Sequence, residues 1–95
     1  MTFGLTAKAR QDRSDLSGCG LAEWGAERTL AYLDELLACM GRLAEQPGLR
    51  RARSELREGA RPFPRGMHLI LYREIGGRIE ILAIPHQSTD PPGYL

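Results

Sequence analysis

Residues 67–84 read MHLILYREIGGRIEILAI and place two apolar runs on either side of a Gly-Gly pair. Isoleucine, leucine and tyrosine dominate both runs, which is typical of β-strands. A Gly-Gly pair readily adopts the positive φ angles of a two-residue hairpin turn. The stretch therefore predicts a β-hairpin with strands at residues 67–75 and 78–84.

The turn also predicts which residues of the hairpin oppose each other. Arg73 then faces Glu80, which is an opposite-charge pair. Tyr72 faces Ile81, an aromatic–aliphatic pair, and both pairings favour this alignment. Side chains alternate between two faces along a strand, and here both faces are apolar. One face would carry His68, Ile70, Tyr72, Ile79, Ile81 and Ala83, and the other Leu69, Leu71, Leu82, Ile84 and His86.

The strongest helical pattern lies upstream, at residues 26–46. Its apolar residues recur at steps of three and four, as in an amphipathic helix, and Pro47-Gly48 supplies a stop. The stripe consists of Leu30, Leu33, Leu37, Met40 and Ala44, flanked by Leu36 and Leu43. This helix can cover one face of the sheet, while a partner protein or the chain's own loops and N-terminus would cover the second.

A weaker helical pattern covers residues 7–22, with Thr6 as the expected N-cap. Gly18 and Gly20 each disfavour a helix by about 1 kcal/mol relative to alanine, so the last turn is expected to fray or stop early. A tight corner at Trp24-Gly25 then joins the two helices in an antiparallel hairpin.

Two further segments complete the predicted domain. Residues 61–65 suit a strand at a sheet edge, because Pro62 and Pro64 cannot donate to a ladder, and residues 2–5 add an N-terminal strand. The predicted fold class is α+β. A single domain, 1–95, would comprise a helical hairpin (about 7–46), a basic linker (about 48–60), an antiparallel sheet of about three strands (about 61–86) and a tail (87–95).

Composition excludes several classes of protein. No apolar run reaches the roughly 20 residues of a membrane span, so we expect a cytoplasmic protein without a membrane segment. Cys19 and Cys39 would lie roughly 13 Å apart along the helical hairpin, too far for a disulfide, and both are expected to be small packing residues. No Cys/His spacing indicates a metal site, and we expect neither a metal nor a cofactor.

Six arginines between residues 50 and 65 form a basic stripe that suits phosphate or an acidic partner. Because Lys8 is the single lysine of the chain, a general preference for arginine and a solvated face explain the stripe equally well.

A ribonuclease would need a base, an acid and cations, and His68, His86, Tyr72, Arg57, Arg61 and Arg65 are of those types. The predicted faces place His86 on the other side of the sheet from His68 and Tyr72, which argues against one catalytic cluster.

The order of strand, helical hairpin, basic linker and antiparallel strands resembles the RelE/ParE toxin superfamily of bacterial toxin–antitoxin pairs. Specific residues, in the expected order over nearly the whole chain, favour the ParE branch. They are Leu5-Thr6, Ala9, Asp12, Trp24-Gly25, Tyr32-Leu33, Leu36, Leu43-Ala44, Pro47, the run from Arg61 to Arg73, His86-Gln87 and Asp90.

The resemblance implies a toxin that forms a hetero-oligomer with a ParD-like antitoxin. Free toxin would poison DNA gyrase by binding, without catalysis and without direct specific binding of nucleic acid. The antitoxin tail would lay a helix against the hairpin and a strand along the sheet edge. The residues expected to contact antitoxin or target are Leu33, Leu37, Met40, Arg57, Arg61, Phe63, Arg65, His68, Tyr72, His86, Gln87 and Asp90.

Two alternatives remain open. RelE-branch relatives cleave messenger RNA on the ribosome, with basic and Tyr or His groups on the sheet. A degenerate toxin, kept as an interaction partner, is the other alternative, because Ala83-Ile84-Pro85-His86 stands where ParE-like chains commonly have Arg-Val-Leu-His. Gly18 and Gly20 in the first helix point the same way.

Overall fold

The computed structural model describes residues 3–46 and 60–87. Within them the elements are β1 (Phe3–Leu5), α1 (Ala7–Trp24), α2 (Ala26–Glu45), β2 (Arg61–Arg65), β3 (His68–Ile75) and β4 (Arg78–Ala83). The sheet order is β1-β4-β3-β2, with β1 parallel to β4 and the other neighbours antiparallel. The predicted α+β fold, with its N-terminal strand, helical hairpin and edge strand at 61–65, is confirmed.

The closed end of the β3–β4 hairpin matches its prediction. Gly76 and Gly77 form the turn with φ angles of 55° and 78°. Arg73 lies opposite Glu80 and the two side chains form an ion pair of 3.0 Å. Tyr72 lies opposite Ile81, also as predicted.

A β-bulge changes the register farther from the turn. Tyr72 pairs with Ile81 but the preceding Leu71 pairs with Ala83, so β4 contributes one additional residue, Leu82. Because side chains alternate with a period of two, a shift of one residue moves all later residues to the other face. The predicted faces are therefore wrong for the residues beyond the bulge, which are Ala83, Ile84 and His86.

Both faces of the sheet are buried within the chain. Ile70, Tyr72, Ile79, Ile81 and Ile84 join residues of α1 and α2 in the main core. The second face buries Ala60, Leu69, Leu71, Leu82 and Ala83 in a smaller cluster. The possibility that a partner protein covers this second face is wrong for Leu69, Leu71 and Leu82, because each is at most 9% exposed in the chain alone.

Helix α2 buries a different edge of its apolar stripe from the predicted one. Leu36, Met40 and Leu43 are buried. Leu30 and Leu37, which belong to the predicted stripe, are 60% and 37% exposed, so this part of the stripe does not lie in the core. The physical reason is that α1 packs against Thr29, and this contact turns the neighbouring Leu30 outward.

Helix α1 packs closely through small residues. A Cβ on Gly20 would lie 2.7 Å from Thr29 Oγ1, so glycine allows the two helices to approach. The helix continues through Gly18 and Gly20 to Trp24, and the expected early end is wrong. Thr6 is the N-cap as predicted, since its Oγ1 accepts from the N–H of Ala9 at 3.1 Å. The predicted corner at Trp24-Gly25 is confirmed, with Gly25 at φ 85°.

The two cysteines are both free. Cys39 is buried and packs in the core, as predicted, whereas Cys19 is exposed, so the packing prediction is wrong for Cys19. Neither described helix is long and apolar enough to cross a membrane.

Candidate partner-binding site

The bulge brings the two histidines of the chain together at the open end of the hairpin. His68 and His86 lie opposite each other in an antiparallel bridge, with ring centroids 5.5 Å apart. The ladder continues on both sides of them: Leu69 N–H donates to Pro85 O and Gln87 N–H donates to Met67 O, each at 2.8 Å. Pro85 therefore accepts within the ladder although it cannot donate.

Tyr32 connects this histidine pair to α2. Its Oη lies 2.7 Å from Nδ1 of His68 and accepts a hydrogen bond of 3.1 Å from the N–H of Met67. The carbonyl of Arg65 is a further acceptor for the hydroxyl, at 3.3 Å. Which of the two acceptors receives the proton depends on the tautomer of His68. The Tyr32 hydroxyl thereby fixes the β2–β3 turn to α2.

Glycine is required in that turn. Gly66 has a φ of 57°, and a Cβ at this position would lie 2.7 Å from the ring of Tyr32. The Gln87 side chain donates to the Gly66 carbonyl at 2.7 Å. Trp24 meets Tyr32 edge-on, with centroids 5.7 Å apart, so an aromatic series runs from the helical corner through Tyr32 to the histidines.

The surroundings of His68 and Tyr32 favour the uncharged forms of these two groups. Burial lowers the pKa of His68 below its ordinary value, and the nearby His86 lowers it further, while Asp12 acts in the opposite direction. Burial raises the pKa of the Tyr32 phenol, although the hydrogen bond from Met67 opposes that rise. Neutral His68 and Tyr32 can thus share their hydrogen bond without a net charge.

Asp12, a residue of α1, binds the backbone directly after β4. It is 7% exposed, and its Oδ2 accepts from the N–H of Ile84 at 2.9 Å. Thr6 adds a second contact, since its hydroxyl donates to the carbonyl of Leu82 at 2.8 Å. The N-cap and the first half of α1 therefore satisfy backbone groups at and beyond the bulge.

A cleft of about 340 Å³ lies beside the histidine pair, between α1 and the open end of the hairpin. Leu16, Trp24 and Pro85 contribute apolar surface, and Asp15 and Glu23 contribute carboxylates. Among the described residues that line this cleft, none is Lys or Arg. Trp24 and Met67 also line a second hollow, which extends over Arg28, Ala31 and Glu35 of α2.

Several of the predicted contact residues lie at or near this end of the molecule. His68 and His86 line the cleft, Gln87 bonds to the Gly66 turn, and Arg65 forms an ion pair with Glu35 of α2. Arg61 and Phe63 are half-buried on β2, and Phe63 packs against the main core. Arg57 and Asp90 lie outside the described residues.

The remaining predicted contacts belong to α2 and β3. Leu37 is exposed and Leu33 is half-buried against the core. Met40 and Tyr72 are 1% and 0% exposed, so they pack inside the chain and their prediction as contact residues is wrong. In both cases the apolar pattern marks the interior of the chain and not its surface.

The prediction did not include Tyr32, Trp24 or Glu35 among the contact residues. One signal was available, because Tyr32 lies one turn before Leu36 on the buried edge of α2, and a buried tyrosine usually carries its hydroxyl to a polar partner. The described residues contain no group of three His, Cys, Asp or Glu side chains able to hold a metal ion.

Comparisons with known proteins agree on one family. A family profile described as "ParE toxin of type II toxin-antitoxin system, parDE" matches residues 4–91. Toxin ParE1 of Caulobacter vibrioides is 33% identical over 93 residues, which cover 98% of this chain and 96% of that protein. Toxin ParE1 of Mycobacterium tuberculosis is 32% identical over 87 residues, with coverages of 90% and 89%.

The fold has a solved counterpart. A chain from the chromosomal ParDE toxin–antitoxin system of P. aeruginosa superposes with a TM-score of 0.76 over 90% of this chain and 95% of its own length. At 22% identity this likeness concerns the fold. The family profile and the two relatives carry the assignment further: the chain belongs to the ParE toxin family of type II toxin–antitoxin systems.

Proposed function

We propose that this toxin acts in the cytoplasm by binding DNA gyrase, blocks replication, and is neutralised by a ParD-like antitoxin. The observation that carries the proposal is the family match over residues 4–91, which includes the helical hairpin and all four strands apart from the first residue of β1. It is supported by a surface that suits an antitoxin and by a cleft beside the histidine pair whose described lining includes carboxylates and no Lys or Arg.

The antitoxin surface proposed here is the leucine edge of α2, defined as Leu30, Leu33 and Leu37. Leu30 and Leu37 are exposed, and exposed leucines at helical spacing are suited to an amphipathic helix from a partner. The outer edge of β2 is less suited to an added strand, because Pro62 and Pro64 have no N–H to donate. Helix docking is therefore the favoured mode of neutralisation.

The surroundings of the histidine pair support binding over catalysis. Cleavage of RNA needs cations near the phosphate, because negative charge develops there in the transition state. Arg65, on the neighbouring β2, forms an ion pair with Glu35. The adjacent cleft is lined by carboxylates of Asp12, Asp15 and Glu23, which repel a phosphate.

Messenger RNA cleavage is the second candidate, and one specific observation favours it. The bulge places His68 beside His86, and Tyr32 within 2.7 Å of His68, so two imidazoles and a phenol lie within reach of one substrate. Such groups can exchange protons in general acid–base catalysis. Arg50, Arg51, Arg53 and Arg57 lie outside the described residues.

Induction of the chain without an antitoxin separates the two candidates. We expect DNA synthesis to stop first and double-strand breaks to accumulate, and the purified chain to inhibit supercoiling by gyrase. Translation arrest with transcripts cut at codons would instead support the ribonuclease.

His86→Ala should weaken the inhibition without abolishing it, because the substitution removes one contact and does not remove a general base. Complete loss of inhibition, with folding and antitoxin affinity unchanged, would contradict the binding mechanism.

The antitoxin surface has its own test. Leu30→Glu with Leu37→Glu should weaken antitoxin binding by at least about a hundredfold, since two apolar anchors become charged. Ala38→Glu adds a carboxylate at an exposed position on another side of α2 and serves as the matched control. Equal affinity of both variants would place the antitoxin elsewhere.

A further inference from the structure

We propose that the cleft between α1 and the open end of the hairpin accepts an arginine or lysine side chain that projects from the target protein. This inference rests on the proposed function, in which the toxin acts by binding a target. It assigns a chemistry to a place on the surface that the proposed antitoxin helix does not use.

The shape of the cleft suits a long side chain with an apolar stem. Trp24, Leu16 and Pro85 provide apolar walls, and the volume of about 340 Å³ exceeds that of one side chain. The aliphatic stems of Arg and Lys cover apolar surface while the charged head remains near polar groups. The half-buried indole of Trp24 lines the cleft, and aromatic rings attract cations.

The charges around the cleft select a cation. Asp15 and Glu23 are exposed residues of α1 whose side chains line the cleft. Asp12 also lines it but accepts the N–H of Ile84, so it contributes mainly through its field. Burial and the neighbouring His86 keep the pKa of His68 low, so His68 adds no positive charge at neutral pH. An arginine or lysine head therefore meets carboxylates here, whereas a phosphate or an acidic side chain would be repelled.

The position of the cleft favours the target over the antitoxin as the source of this side chain. At 3.6 residues per turn, Leu30 and Leu37 lie on one edge of α2, and Arg28, Ala31 and Glu35 lie on the opposite edge. The second hollow lies over this opposite edge and shares Trp24 and Met67 with the cleft. A helix bound along the leucine edge therefore leaves the cleft open to a different protein.

A pair of small probes tests the chemistry of the cleft without any partner. The n-butylguanidinium ion reproduces an arginine side chain, and n-butylurea has nearly the same shape without the charge. We expect the ion to shift the Trp24 indole and His68 ring resonances and n-butylurea to shift them much less. Equal binding of both probes, or shifts confined to other residues, would overturn the proposal.

Two substitutions of glutamate by glutamine provide the matched variants. Glu23→Gln should weaken binding of the guanidinium probe about threefold, in line with loss of one exposed ion pair. Glu27→Gln makes the same change on the exposed surface of α2, at a residue that lines neither hollow, and should leave binding unchanged. An equal effect of the two substitutions would show general charge attraction and would overturn a specific cleft.

The source of the side chain is tested with the purified toxin–antitoxin complex and with gyrase. The probe should still bind in the complex, and a cleft filled by antitoxin would overturn assignment to the target. Glu23→Gln should raise the toxin concentration for half-inhibition of supercoiling about tenfold, and Glu27→Gln should not. If the wild-type chain leaves gyrase active, the gyrase proposal fails, while the probe pair still decides whether the cleft binds a cation.

Discussion

At its closed end the β3–β4 hairpin carries Gly76-Gly77 and the Arg73–Glu80 ion pair, whereas at its open end it carries His68 beside His86. The turn and the ion pair of the closed end lie within the two strands, and β1 pairs alongside them at Phe3–Ile79 and Gly4–Glu80. The open end is held by the helices: Asp12 of α1 bonds to Ile84, and Tyr32 of α2 bonds to Met67. The cleft and the histidine pair therefore lie where contacts from both helices add to the ladder of the hairpin.

Alanine substitutions at two turn glycines provide the largest test of this difference. Gly66→Ala forces a side chain into a positive φ and against Tyr32, which should lower the free energy of unfolding by about 3 kcal/mol. Gly76→Ala introduces a similar φ penalty in open space at the closed end and should lower it by about 1 kcal/mol. Urea unfolding of both variants gives the comparison.

The predicted difference between the two glycines has a further control. In Gly66→Ala combined with Tyr32→Ala, the ring that the new Cβ would meet is absent, so the additional loss from Gly66→Ala should fall toward the value at Gly76. Equal losses for Gly66→Ala and Gly76→Ala in the otherwise wild-type chain would show that α2 does not constrain the open end.

Asp12 tests the contact from α1. Asp12→Ala leaves the N–H of Ile84 without this acceptor in a buried place, and we expect a loss of about 2 kcal/mol in unfolding free energy. Asp15→Ala is the control on the same helix, because Asp15 is exposed and bonds to Gln11 in solvent; its effect should stay below about 0.5 kcal/mol. If Asp12→Ala also lowered the free energy of unfolding by less than about 0.5 kcal/mol, that result would contradict the role assigned to α1.

The closed end could be predicted from sequence because its determinants are local. A glycine pair, opposite charges at Arg73 and Glu80, and the facing Tyr72 and Ile81 all indicate one register. The bulge at Leu71 and Tyr72 could not be predicted. No glycine or proline marks it, and residues on both faces are apolar, so alternation carries no signal that would fix the register.

For the helices, too, the features that could not be predicted from sequence depend on tertiary contacts. The leucines of α2 predicted a helix correctly but indicated the wrong edge, since leucines occur on both edges and contact with α1 decides between them. By helix propensity Gly20 weakens α1, yet its missing side chain is what allows contact with Thr29. Composition cannot distinguish these two roles of glycine, because they depend on the neighbouring helix.

The candidate site could be predicted only in part, again because tertiary contacts assemble it. His68, His86 and Arg65 were selected by residue type, while the proximity of the two histidines depends on the bulge and Tyr32 arrives from a distant helix. Ala83 and Pro85 suggested a degenerate strand. In the structure Ala83 is buried opposite Leu71, and the ladder continues past Pro85 to Gln87, so neither residue interrupts the open end.

His68 gives the open end a pH dependence that the closed end should lack. Its pKa is lowered in the folded chain, first by burial and then by His86. Below the ordinary value of 6.5 the unfolded chain takes up a proton that folded His68 resists, so stability should be full above that pH and fall as the pH drops below it. Urea unfolding above and below pH 6.5 measures this slope, and His68→Gln should reduce it.

Proton NMR of the His68 ring provides an independent measurement. Its titration midpoint should lie below 6.5, and His86→Gln should raise the pKa of His68 because a neighbour that lowers it is removed. A midpoint at or above 6.5 in the wild-type chain would contradict the burial of His68 against Tyr32.

The smallest expected effect belongs to the closed end. The Arg73 and Glu80 side chains are 33% and 30% exposed, so solvent screens their ion pair. A double-mutant cycle with Arg73→Ala and Glu80→Ala should give a coupling of about 0.5 kcal/mol that decreases as salt is added. A coupling as large as the loss from Asp12→Ala, or one that salt leaves unchanged, would mean that Arg73 and Glu80 form a buried contact and not a screened ion pair. Because described contacts from α1 and α2 reach Ile84, Met67 and His68 at the other end, we expect the coupling to remain a local, screened interaction between two side chains.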